Sequence, residues 1–364
     1  MAVGNRKIYP NSGIIPMNRR FILAVLLCFG MENIPQLFAA TTTLALPQKG
    51  VYSGAYIDFG PTEDHVTAMA ISHFESLIKK RLAIVAFSNY WGENAFPITQ
   101  LKTIQHSGAF PLIFWSPWEQ PYEQSRPNKL NLHLIRAGKY NSYIDRWADA
   151  AKSYGQPLLV SWGLEMNGNW FPWSGVFHGG GKKINGQYLG PETYKNAYRY
   201  IVDRVRARGA NQILWVFHVN GYAEPQALWN RMAQYYPGAK YVDWLGLSAY
   251  GKQFPYQDWS SAADAMDNYY HELSLVDPDK PIILAEWGVG EFPKSGNKAQ
   301  YIHDALERII YHYSRMKAAV FWHERWQNED NSFSDLRVNS SPAALNAYQK
   351  GIANPLWLER IIWE

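Results

Sequence analysis

The sequence places two glutamates, Glu165 and Glu286, just after apolar runs and among aromatic residues. Glu165 lies within the aromatic segment Trp162–Trp173, and Trp287 follows Glu286 directly. Cleavage of a glycosidic bond needs such a pair, because one carboxyl must give and take a proton while the other stabilises or attacks a sugar cation. Flat aromatic faces can hold the sugar rings between them. This chemistry requires a fold that brings the two side chains together.

Short apolar runs alternate with segments of helical spacing along the chain, and the alternation repeats eight times. The predicted strands are Gly54–Phe59, Leu82–Ser88, Phe110–Trp115, Pro157–Trp162, Ile213–His218, Val242–Ala249, Pro281–Glu286 and Ala318–His323. The clearest predicted helices are Gly190–Arg208, Gln226–Tyr235, Trp259–Val276 and Lys298–Arg315. Buried parallel strands are apolar throughout and need crossover helices. The pattern therefore predicts a (β/α)8 TIM barrel rather than an open doubly wound sheet.

Both glutamates fall at the carboxyl ends of predicted strands, Glu165 after the fourth and Glu286 at the end of the seventh. In barrels this end carries the active site. A glutamate in a loop is usually solvated, but two at strand ends in aromatic settings favour a catalytic pair. We expect the aromatic loop to raise the pKa of Glu165 and keep it protonated, and Glu286, beside Tyr250, to stay ionised. A separation of about 5 Å would give retention of configuration, and about 7–9 Å would give inversion.

Many tryptophans also fall at or just beyond strand ends, where we expect them to open on a cleft. They are Trp91, Trp115, Trp118, Trp162, Trp170, Trp173, Trp287, Trp322 and Trp326. For any single one of them, packing at the barrel rim is as good an explanation as sugar binding. We take Trp115 and Trp162 as substrate-binding candidates on this basis.

Composition excludes some classes of partner. The formal net charge is +4, but four of the basic residues and only one acidic residue lie in residues 1–40, so the rest of the chain offers no basic surface for nucleic acid. Aromatic residues make up 15% of the chain, which fits a large core and a carbohydrate cleft. The length of 364 residues suits one barrel domain, and nothing in the sequence argues against a monomer.

The first 40 residues resemble a secretory signal. Basic residues in Met17–Arg20 precede the short apolar run Phe21–Gly30, and the small residues Ala39 and Ala40 end the segment. We expect residues 1–40 to be a signal peptide, with Met17 as a possible start, and 41–364 to be a single catalytic domain without membrane attachment after cleavage. An uncleaved anchor is the alternative, although the run is short for a bilayer span. A secreted or periplasmic location follows, and a mature chain without Cys28 has no disulfide.

Other catalytic motifs are weak or missing. Gly179–Lys183 is glycine-rich but follows no strand directly and lacks the Gly-Lys-Ser/Thr ending of a phosphate loop. The sequence has no His-Glu-x-x-His motif, no cysteine cluster and no Gly-x-Ser-x-Gly elbow. Its histidines have no ligand spacing. We therefore expect a reaction with no metal ion and no cofactor.

Three motifs together resemble glycoside hydrolase family 26, whose best-known members are endo-β-1,4-mannanases, with mixed-linkage β-glucanases and β-1,3-xylanases beside them. The motifs are Glu165–Trp173, Tyr241–Gly251 and Ala285–Gly288, and the resemblance runs from about the first strand to the eighth. It implies that Glu165 is the acid/base and Glu286 the nucleophile of a retaining enzyme. It also implies subsite roles for Trp170, Asp243, Tyr250 and an eighth-strand tryptophan, Trp322 or Trp326.

The chain departs from that family pattern next to the acid/base. Mannanases of the family usually have an arginine four residues before it and a histidine directly before it, where this chain has Ser161 and Leu164. That histidine ordinarily contacts the sugar around its 2-hydroxyl, and leucine cannot. Either another polar group takes over the contact, or the sugar in that subsite is not mannose. The polar candidates are Asn167, Asn89, His218 and Asn220. The long segment Gly175–Gly190 is expected to hang over the cleft.

The leading hypothesis is a retaining endo-β-glycanase that hydrolyses a β-1,4-linked mannan-type polysaccharide by double displacement. A mixed-linkage β-1,3-1,4-glucanase or another β-glucanase is the alternative. A non-catalytic polysaccharide-binding barrel and a transglycosylase are further possibilities, and product analysis would separate the latter from a hydrolase.

Overall fold

Eight parallel strands close into a barrel. The structure is a computed structural model that describes residues 44–60, 62–121 and 128–364. Its barrel strands are β1 (Val51–Ile57), β2 (Ile84–Tyr90), β3 (Phe110–Ser116), β4 (Leu158–Trp162), β5 (Ile213–Asn220), β6 (Trp244–Tyr250), β7 (Ile282–Gly288) and β8 (Met316–His323). Each pairs in parallel with the next, and β8 pairs with β1 in a register that places Tyr56 beside Trp322. This confirms the predicted (β/α)8 TIM barrel.

The strands are apolar because they are covered on both faces. Every residue of β1, β2, β3, β4 and β7 is buried. One face of each strand points into the barrel and the other packs under the surrounding helices, so neither face can be polar without a hydrogen-bond partner. Polar side chains that do occur in these strands therefore identify places where the barrel interior carries chemistry.

The helices lie outside the barrel and return the chain to the next strand. They are α1 (Ala68–Ile78), α2 (Ile98–Ser107), α3 (Leu132–Arg136), α4 (Asn141–Tyr154), α5 (Leu189–Ala207), α6 (Ala262–Ser274), α7 (Lys298–Tyr311) and α8 (Pro342–Ile352). Side chains of Thr67, Asn297 and Ser341 accept hydrogen bonds from the first turns of α1, α7 and α8. Such caps satisfy backbone N–H groups that have no partner within the helix.

The fifth unit differs from the prediction. In place of a helix over Gln226–Tyr235, the chain forms two short 3-10 helices, Leu228–Asn230 and Met232–Tyr235. The buried Asn230 side chain donates to the carbonyls of Asn167 and Pro225 and accepts from the Tyr235 hydroxyl. These side-chain hydrogen bonds compete with the backbone hydrogen bonds of a regular helix. The helix predicted from the spacing of apolar residues was therefore wrong.

The insert Gly175–Gly190 contains a short hairpin that lies against two helices. Its antiparallel hairpin pairs Lys183–Ile184 with Gln187–Tyr188. The hairpin shares a surface cavity with His133 of α3 and Glu192 of α5. The hairpin thus lies beside α3 and α5, and the expectation that the insert hangs over the cleft stays a prediction.

Within the described ranges, no helix is both long enough and apolar enough to span a bilayer. The signal peptide expected over residues 1–40 lies outside the described residues, as do the first three residues of the catalytic domain predicted over 41–364. Its cleavage and the domain boundary therefore stay predictions.

The network around Asn230 predicts a stability effect. Asn230→Ala should lower the free energy of unfolding by about 1–3 kcal/mol, because it leaves buried polar groups without partners. Urea unfolding followed by tryptophan fluorescence measures the change. Asn196→Ala on α5 is the matched control, since its side chain is only partly buried and donates to Glu192. Equal unfolding midpoints for the two variants would contradict the assignment.

Candidate active site

Glu165 and Glu286 meet at the carboxyl ends of the barrel strands. Glu286 lies within β7, and Glu165 lies three residues after the end of β4. One carboxylate oxygen of each and a ring nitrogen of His218 all lie within 4.8 Å of one another. Both glutamates are buried, with exposed fractions of 6% and 7%. The barrel therefore holds two carboxyls, far apart in sequence, at the spacing of a reacting pair.

The backbone at Glu165 is unusual. Its φ angle is +53°, in the left-handed region that residues other than glycine rarely adopt. The Glu165 N–H donates to the His218 carbonyl of β5 at 2.8 Å, and its carbonyl accepts from Gly168 at 2.9 Å. These bonds hold the turn that aims the side chain inward. Strained backbone of this kind is common at functional sites.

Several hydrogen-bond donors hold the Glu165 carboxylate. Trp170 Nε1 donates to Oε2 at 2.7 Å, and Asn220 Nδ2 donates to Oε1 at 2.8 Å. Asn167 fixes Asn220 in turn, donating to its carbonyl and accepting from its N–H. Asn167 is fully buried, so the expectation that it binds substrate is wrong: it positions Asn220 instead.

Tyr250 holds Glu286. It ends β6, and its hydroxyl donates to Glu286 Oε2 at 2.8 Å. Burial and the nearby charges of Glu286 and Glu165 raise the pKa of the Tyr250 hydroxyl well above its usual value. The phenol therefore stays protonated and remains a donor.

The two carboxyls cannot both be charged without a large cost. Burial raises the pKa of Glu165, and hydrogen bonds from Ser248, Asn220 and Trp170 oppose that effect. Burial and the negative charge of Glu165 raise the pKa of Glu286 well above its usual range, and the Tyr250 hydrogen bond opposes them. Like charges this close share one proton over a wide pH range. The sequence argument expected Glu286 to stay ionised whatever the state of Glu165. In the structure, Glu286 can carry a negative charge readily only while Glu165 holds the shared proton.

Three side chains at the site have metal-ligand chemistry. Within the part of the chain that the structure describes, Glu165, His218 and Glu286 form the group spaced closely enough to hold an ion. Both ring nitrogens of His218 are already engaged, Nδ1 with Ser161 Oγ at 3.1 Å and Nε2 with Ser248 Oγ at 2.7 Å. This donor set fits a hydrogen-bond network better than a metal centre.

Comparison with known proteins fits this geometry. A sequence model of Glycosyl hydrolase family 26 matches residues 115–334, which include both glutamates and most of the barrel. The chain belongs to glycosyl hydrolase family 26. It is therefore a glycoside hydrolase, and the resemblance read from its motifs is confirmed.

Curated relatives of the family 26 enzyme include Endoglucanase H of Acetivibrio thermocellus, with 33% identity over 306 residues, or 83% of this chain and 30% of that protein. A mannan endo-1,4-beta-mannosidase of Bacillus subtilis (strain 168) is 26% identical over 257 residues, covering 70% of this chain and 62% of that protein. The chain thus spans less than two thirds of the length of either relative. Among solved structures, a modular endo-beta-1,4-mannanase from Cellulomonas fimi has a TM-score of 0.60 at 17% identity, covering 85% of this chain and 72% of that chain. That likeness concerns the fold.

Three predicted aromatic candidates of the family 26 enzyme lie at the barrel mouth. Trp170 is 40% exposed next to Glu165. Trp322 is the second-last residue of β8 and stacks on Tyr56 with ring centroids 3.9 Å apart. Trp326 follows β8, and its ring contacts Phe254 edge-on at 5.8 Å.

The substrate-binding candidates Trp115 and Trp162 were wrongly expected at the cleft, and Trp91, Trp173 and Trp287 are buried as well. Trp115 is fully buried, stacks on Trp147 of α4 and donates to the Tyr143 hydroxyl. Trp162 is 1% exposed and packs on Tyr194 of α5. Successive strand residues point to opposite faces, so residues next to inward-facing ones point at the helices.

Asp243 was also wrongly expected in a subsite. It directly precedes β6, so it lies at the amino end of that strand, opposite the end that carries Tyr250. Its carboxylate accepts from the Trp215 N–H at 2.8 Å and lies 3.9 Å from Arg206. Asp243 therefore stabilises the bottom of the barrel. The polar candidate Asn89 is likewise unavailable, because it is buried against Glu93 and Trp147.

The structure adds two carboxyls that the sequence argument missed, Glu63 and Glu324. The negative charges of both contribute to the raised pKa of Glu286, and Glu324 directly follows β8, the neighbour of β7. Burial and the charge of Glu63 raise the pKa of Glu324 to about 7, while Trp322 Nε1 donates to it at 2.8 Å. Glu63 accepts from the Tyr90 hydroxyl at 2.6 Å. Glu324 directly follows a predicted strand, a position that would have identified it.

The crowded negative charge predicts a pH-dependent stability effect. The pKa values of Glu165 and Glu286 are higher in the folded chain than in the unfolded chain. The free energy of unfolding therefore falls as the pH rises from the ordinary carboxyl pKa to these raised values. Glu286→Gln should therefore raise the melting temperature by a few degrees at pH 8 and by less at pH 5. A gain of about 1 kcal/mol in the free energy of unfolding corresponds to about 2–4 °C.

Differential scanning calorimetry at the two pH values measures this difference. Glu119→Gln, which removes a partly exposed carboxylate paired with Lys129, is the control and should change little at either pH. A Glu286→Gln variant that is less stable than the parent at pH 8 would rule out the repulsion.

Proposed function

We propose that this family 26 enzyme is a retaining endo-β-glycanase that cleaves its polysaccharide by double displacement. The observation that carries the proposal is the pair Glu165 and Glu286, buried at the ends of β4 and β7 with carboxylate oxygens within 4.8 Å. Retaining enzymes place their carboxyls about 5–5.5 Å apart, whereas inverting enzymes need about 6.5–9.5 Å for a water molecule. The observed spacing supports retention.

In the first step, Glu286 attacks the anomeric carbon and Glu165 gives its proton to the departing glycosidic oxygen. The C–O bond to the leaving sugar breaks as an ester bond to Glu286 forms. In the second step, Glu165 takes a proton from water, and that water attacks the anomeric carbon and releases Glu286. The Tyr250 hydroxyl stabilises the charge on Glu286 before the attack and after release.

This assignment fits the limit of one negative charge on the pair. Glu286 carries the charge while Glu165 is protonated, and Glu165 carries it while Glu286 is an ester. The donors Trp170 and Asn220 stabilise the charged form of Glu165 in the intermediate. At no stage do both carboxyls have to be ionised.

The mouth of the barrel suits a polymer that binds on both sides of the cleaved bond. Trp170 stands after β4, while Trp322 and Trp326 stand at and after β8, so aromatic faces flank the carboxyl pair. This arrangement supports cleavage within a chain.

For the substrate we favour a β-glucan, including mixed-linkage β-1,3-1,4-glucan, over mannan. Leu164 is apolar and 5% exposed, so the position directly before the acid/base cannot hydrogen-bond a sugar. The polar group beside Glu165 is instead Asn220, which approaches from the end of β5. The relative Endoglucanase H shares 33% identity with this chain, which supports the same choice.

Mannan is the second candidate. The mannosidase of Bacillus subtilis matches 70% of this chain, and the sequence motifs around Glu165 resemble those of mannanases. A non-catalytic barrel is less well supported, because a binding protein gains nothing from two buried carboxyls that repel each other. We further propose a monomer that is secreted or periplasmic, as the predicted signal peptide and a polymeric substrate both imply.

The roles of the two glutamates predict different products in azide. Glu165→Ala should lower hydrolysis of polysaccharide about 100- to 10 000-fold. It should still form the glycosyl ester with a dinitrophenyl glycoside, whose leaving group needs no proton, and azide should then yield the β-glycosyl azide. Glu286→Ala should lose activity more completely, and azide should take the place of the missing carboxylate, displace dinitrophenolate from the dinitrophenyl β-glycoside and yield the α-glycosyl azide. NMR of the products distinguishes these results.

Glu192→Gln on α5, where the carboxylate pairs with Lys195, is the matched control and should keep full activity. Unchanged release of reducing ends by either glutamate variant would refute the assignment.

Substrate choice and stereochemistry are predicted together. Reducing-end assays should show the highest kcat/KM on barley-type β-glucan, with lower values on glucomannan and mannan and the lowest on xylan and laminarin. NMR during the first minutes of reaction should show the β-anomer as the initial product, since two inversions restore the configuration. Mannan as the best substrate would overturn the glucan preference alone, whereas an α-anomer would overturn the double displacement.

A further inference from the structure

Three aromatic side chains outside the carboxyl site lie side by side. Phe254 and Tyr256, in the loop after β6, stack with ring centroids 5.4 Å apart and an interplanar angle of 7°. The Trp326 ring, in the hairpin after β8, contacts Phe254 edge-on. Tyr256 is 82% exposed, while Phe254 and Trp326 are half-buried. We refer to these three residues as the aromatic platform.

The two segments that form the platform leave the barrel on either side of β7, the strand that carries Glu286. β6 and β8 are the strands that pair with β7. Tyr250 ends β6 and donates to Glu286. Tyr256 follows six residues later, and six residues span at most about 22 Å. The platform therefore lies at the active end of the barrel, within reach of a polymer bound at the carboxyl pair.

Both segments are attached to the end of β7. The Gly251 N–H, at the start of the loop after β6, donates to the Gly288 carbonyl at 2.9 Å. The hairpin after β8 is closed at its base by the Leu336 N–H, which donates to the Glu324 carbonyl at 2.9 Å. A Cβ atom on Gly288 would lie 3.3 Å from Leu336 Cδ2, so the base of the hairpin packs directly on β7. The platform thus shares its support with Glu286.

The loop after β6 is held in one shape by side-chain hydrogen bonds. Gln257 Oε1 accepts from the N–H groups of Gln253 and Phe254 at 2.7 and 3.0 Å. The buried Lys252 donates from Nζ to the Pro255 carbonyl at 3.0 Å. These bonds fix the backbone that presents the exposed tyrosine ring to solvent. A ring on a backbone that is already ordered loses less freedom when a ligand stacks on it.

The exposed surface of the platform suits a sugar ring. A single exposed aromatic residue is ordinary, but three in contact beside an active site are not. Aromatic rings offer a flat apolar face, and the C–H face of a β-linked sugar ring is also flat and apolar. A stable protein–protein interface takes about 20–30 residues from each partner, far more than three rings supply. One unit of a polysaccharide is therefore the occupant that fits.

We propose that the aromatic platform is a distal subsite that binds a sugar unit of the polysaccharide away from the cleaved bond. The inference rests on the proposed function and extends it, because such a subsite makes the enzyme prefer long chains to short ones. A chain that reaches from the carboxyl pair to the platform gains a remote contact, and this binding energy helps to hold the cleaved bond between Glu165 and Glu286. A substrate that ends before the platform lacks the contact.

Binding to an inactive variant tests the subsite without turnover. In Glu286→Ala, isothermal titration calorimetry measures the Kd of a mixed-linkage β-glucan hexasaccharide and of a β-1,4-mannan hexasaccharide, and the tighter ligand is used. Adding Tyr256→Ala should raise this Kd at least about fivefold, because the most exposed ring of the platform is removed. Tyr256→Phe keeps the ring and should keep the Kd of the Glu286→Ala parent.

Kinetics test the preference for long chains. The measured quantity is kcat/KM on the polysaccharide divided by kcat/KM on the dinitrophenyl glycoside of a disaccharide. Tyr256→Ala should lower this ratio at least about fivefold, because only the polysaccharide spans from the carboxyl pair to the platform. A merely structural role would lower both values together and leave the ratio unchanged.

Two exposed aromatic residues outside the platform serve as controls. Phe333 lies in the same hairpin as Trp326 but pairs with Gln327, so its side chain points to the opposite face of the hairpin. Tyr311 ends α7, before the start of β8 and so at the other end of the barrel, and is 58% exposed. Phe333→Ala and Tyr311→Ala should keep the parent ratio and the parent Kd.

The outcomes separate the subsite from the reaction. An unchanged hexasaccharide Kd on addition of Tyr256→Ala, or an unchanged kinetic ratio, would overturn the subsite and leave the proposed reaction intact. A parent enzyme that releases no reducing ends from any of the polysaccharides would instead refute the proposed function. The binding comparison in Glu286→Ala would still decide whether the platform binds sugar, since it needs no turnover.

Discussion

Two buried carboxyls that cannot both be charged are the constraint on which the rest of this barrel depends. Glu165 and Glu286 approach within 4.8 Å in a nearly dry setting. Repulsion at that distance admits one negative charge, and the surrounding donors decide how it is held. Tyr250 serves Glu286, while Trp170 and Asn220 serve Glu165. The strands that carry these groups are fixed by the closure of β8 onto β1, so the electrostatics of the site are a property of the whole barrel.

The fold and the reacting pair could be predicted because each leaves a local signal. Continuous apolar runs identify buried strands, and a carboxyl at a strand end lies on the active face of a barrel. The direction of a side chain is harder to predict where the run is apolar throughout. Trp115 and Trp162 lie at strand ends but face α4 and α5, because a shift of one residue exchanges the two faces. Asp243 lies close to Tyr250 in sequence but at the opposite end of the same strand.

The remaining features depend on contacts between strands that no local pattern contains. Ser161, His218 and Ser248 come from three strands, and each alone is an ordinary buried residue. Only the register of β4, β5 and β6 brings them into one line. The charge of Glu63, in the loop after β1, likewise raises the pKa of Glu286. Closure of the barrel creates these neighbours, so they could be recognised only once the strands had been placed.

The left-handed backbone at Glu165 has a consequence for protein design. Glycine or asparagine would adopt a φ of +53° with less strain than glutamate does. A design procedure that selected each residue for the stability of the folded chain would therefore replace Glu165. The redesigned barrel would be more stable but would have no proton donor. The same argument can identify functional residues in other barrels. A carboxylate on a backbone that disfavours it indicates that selection has kept the side chain for its chemistry rather than for the fold.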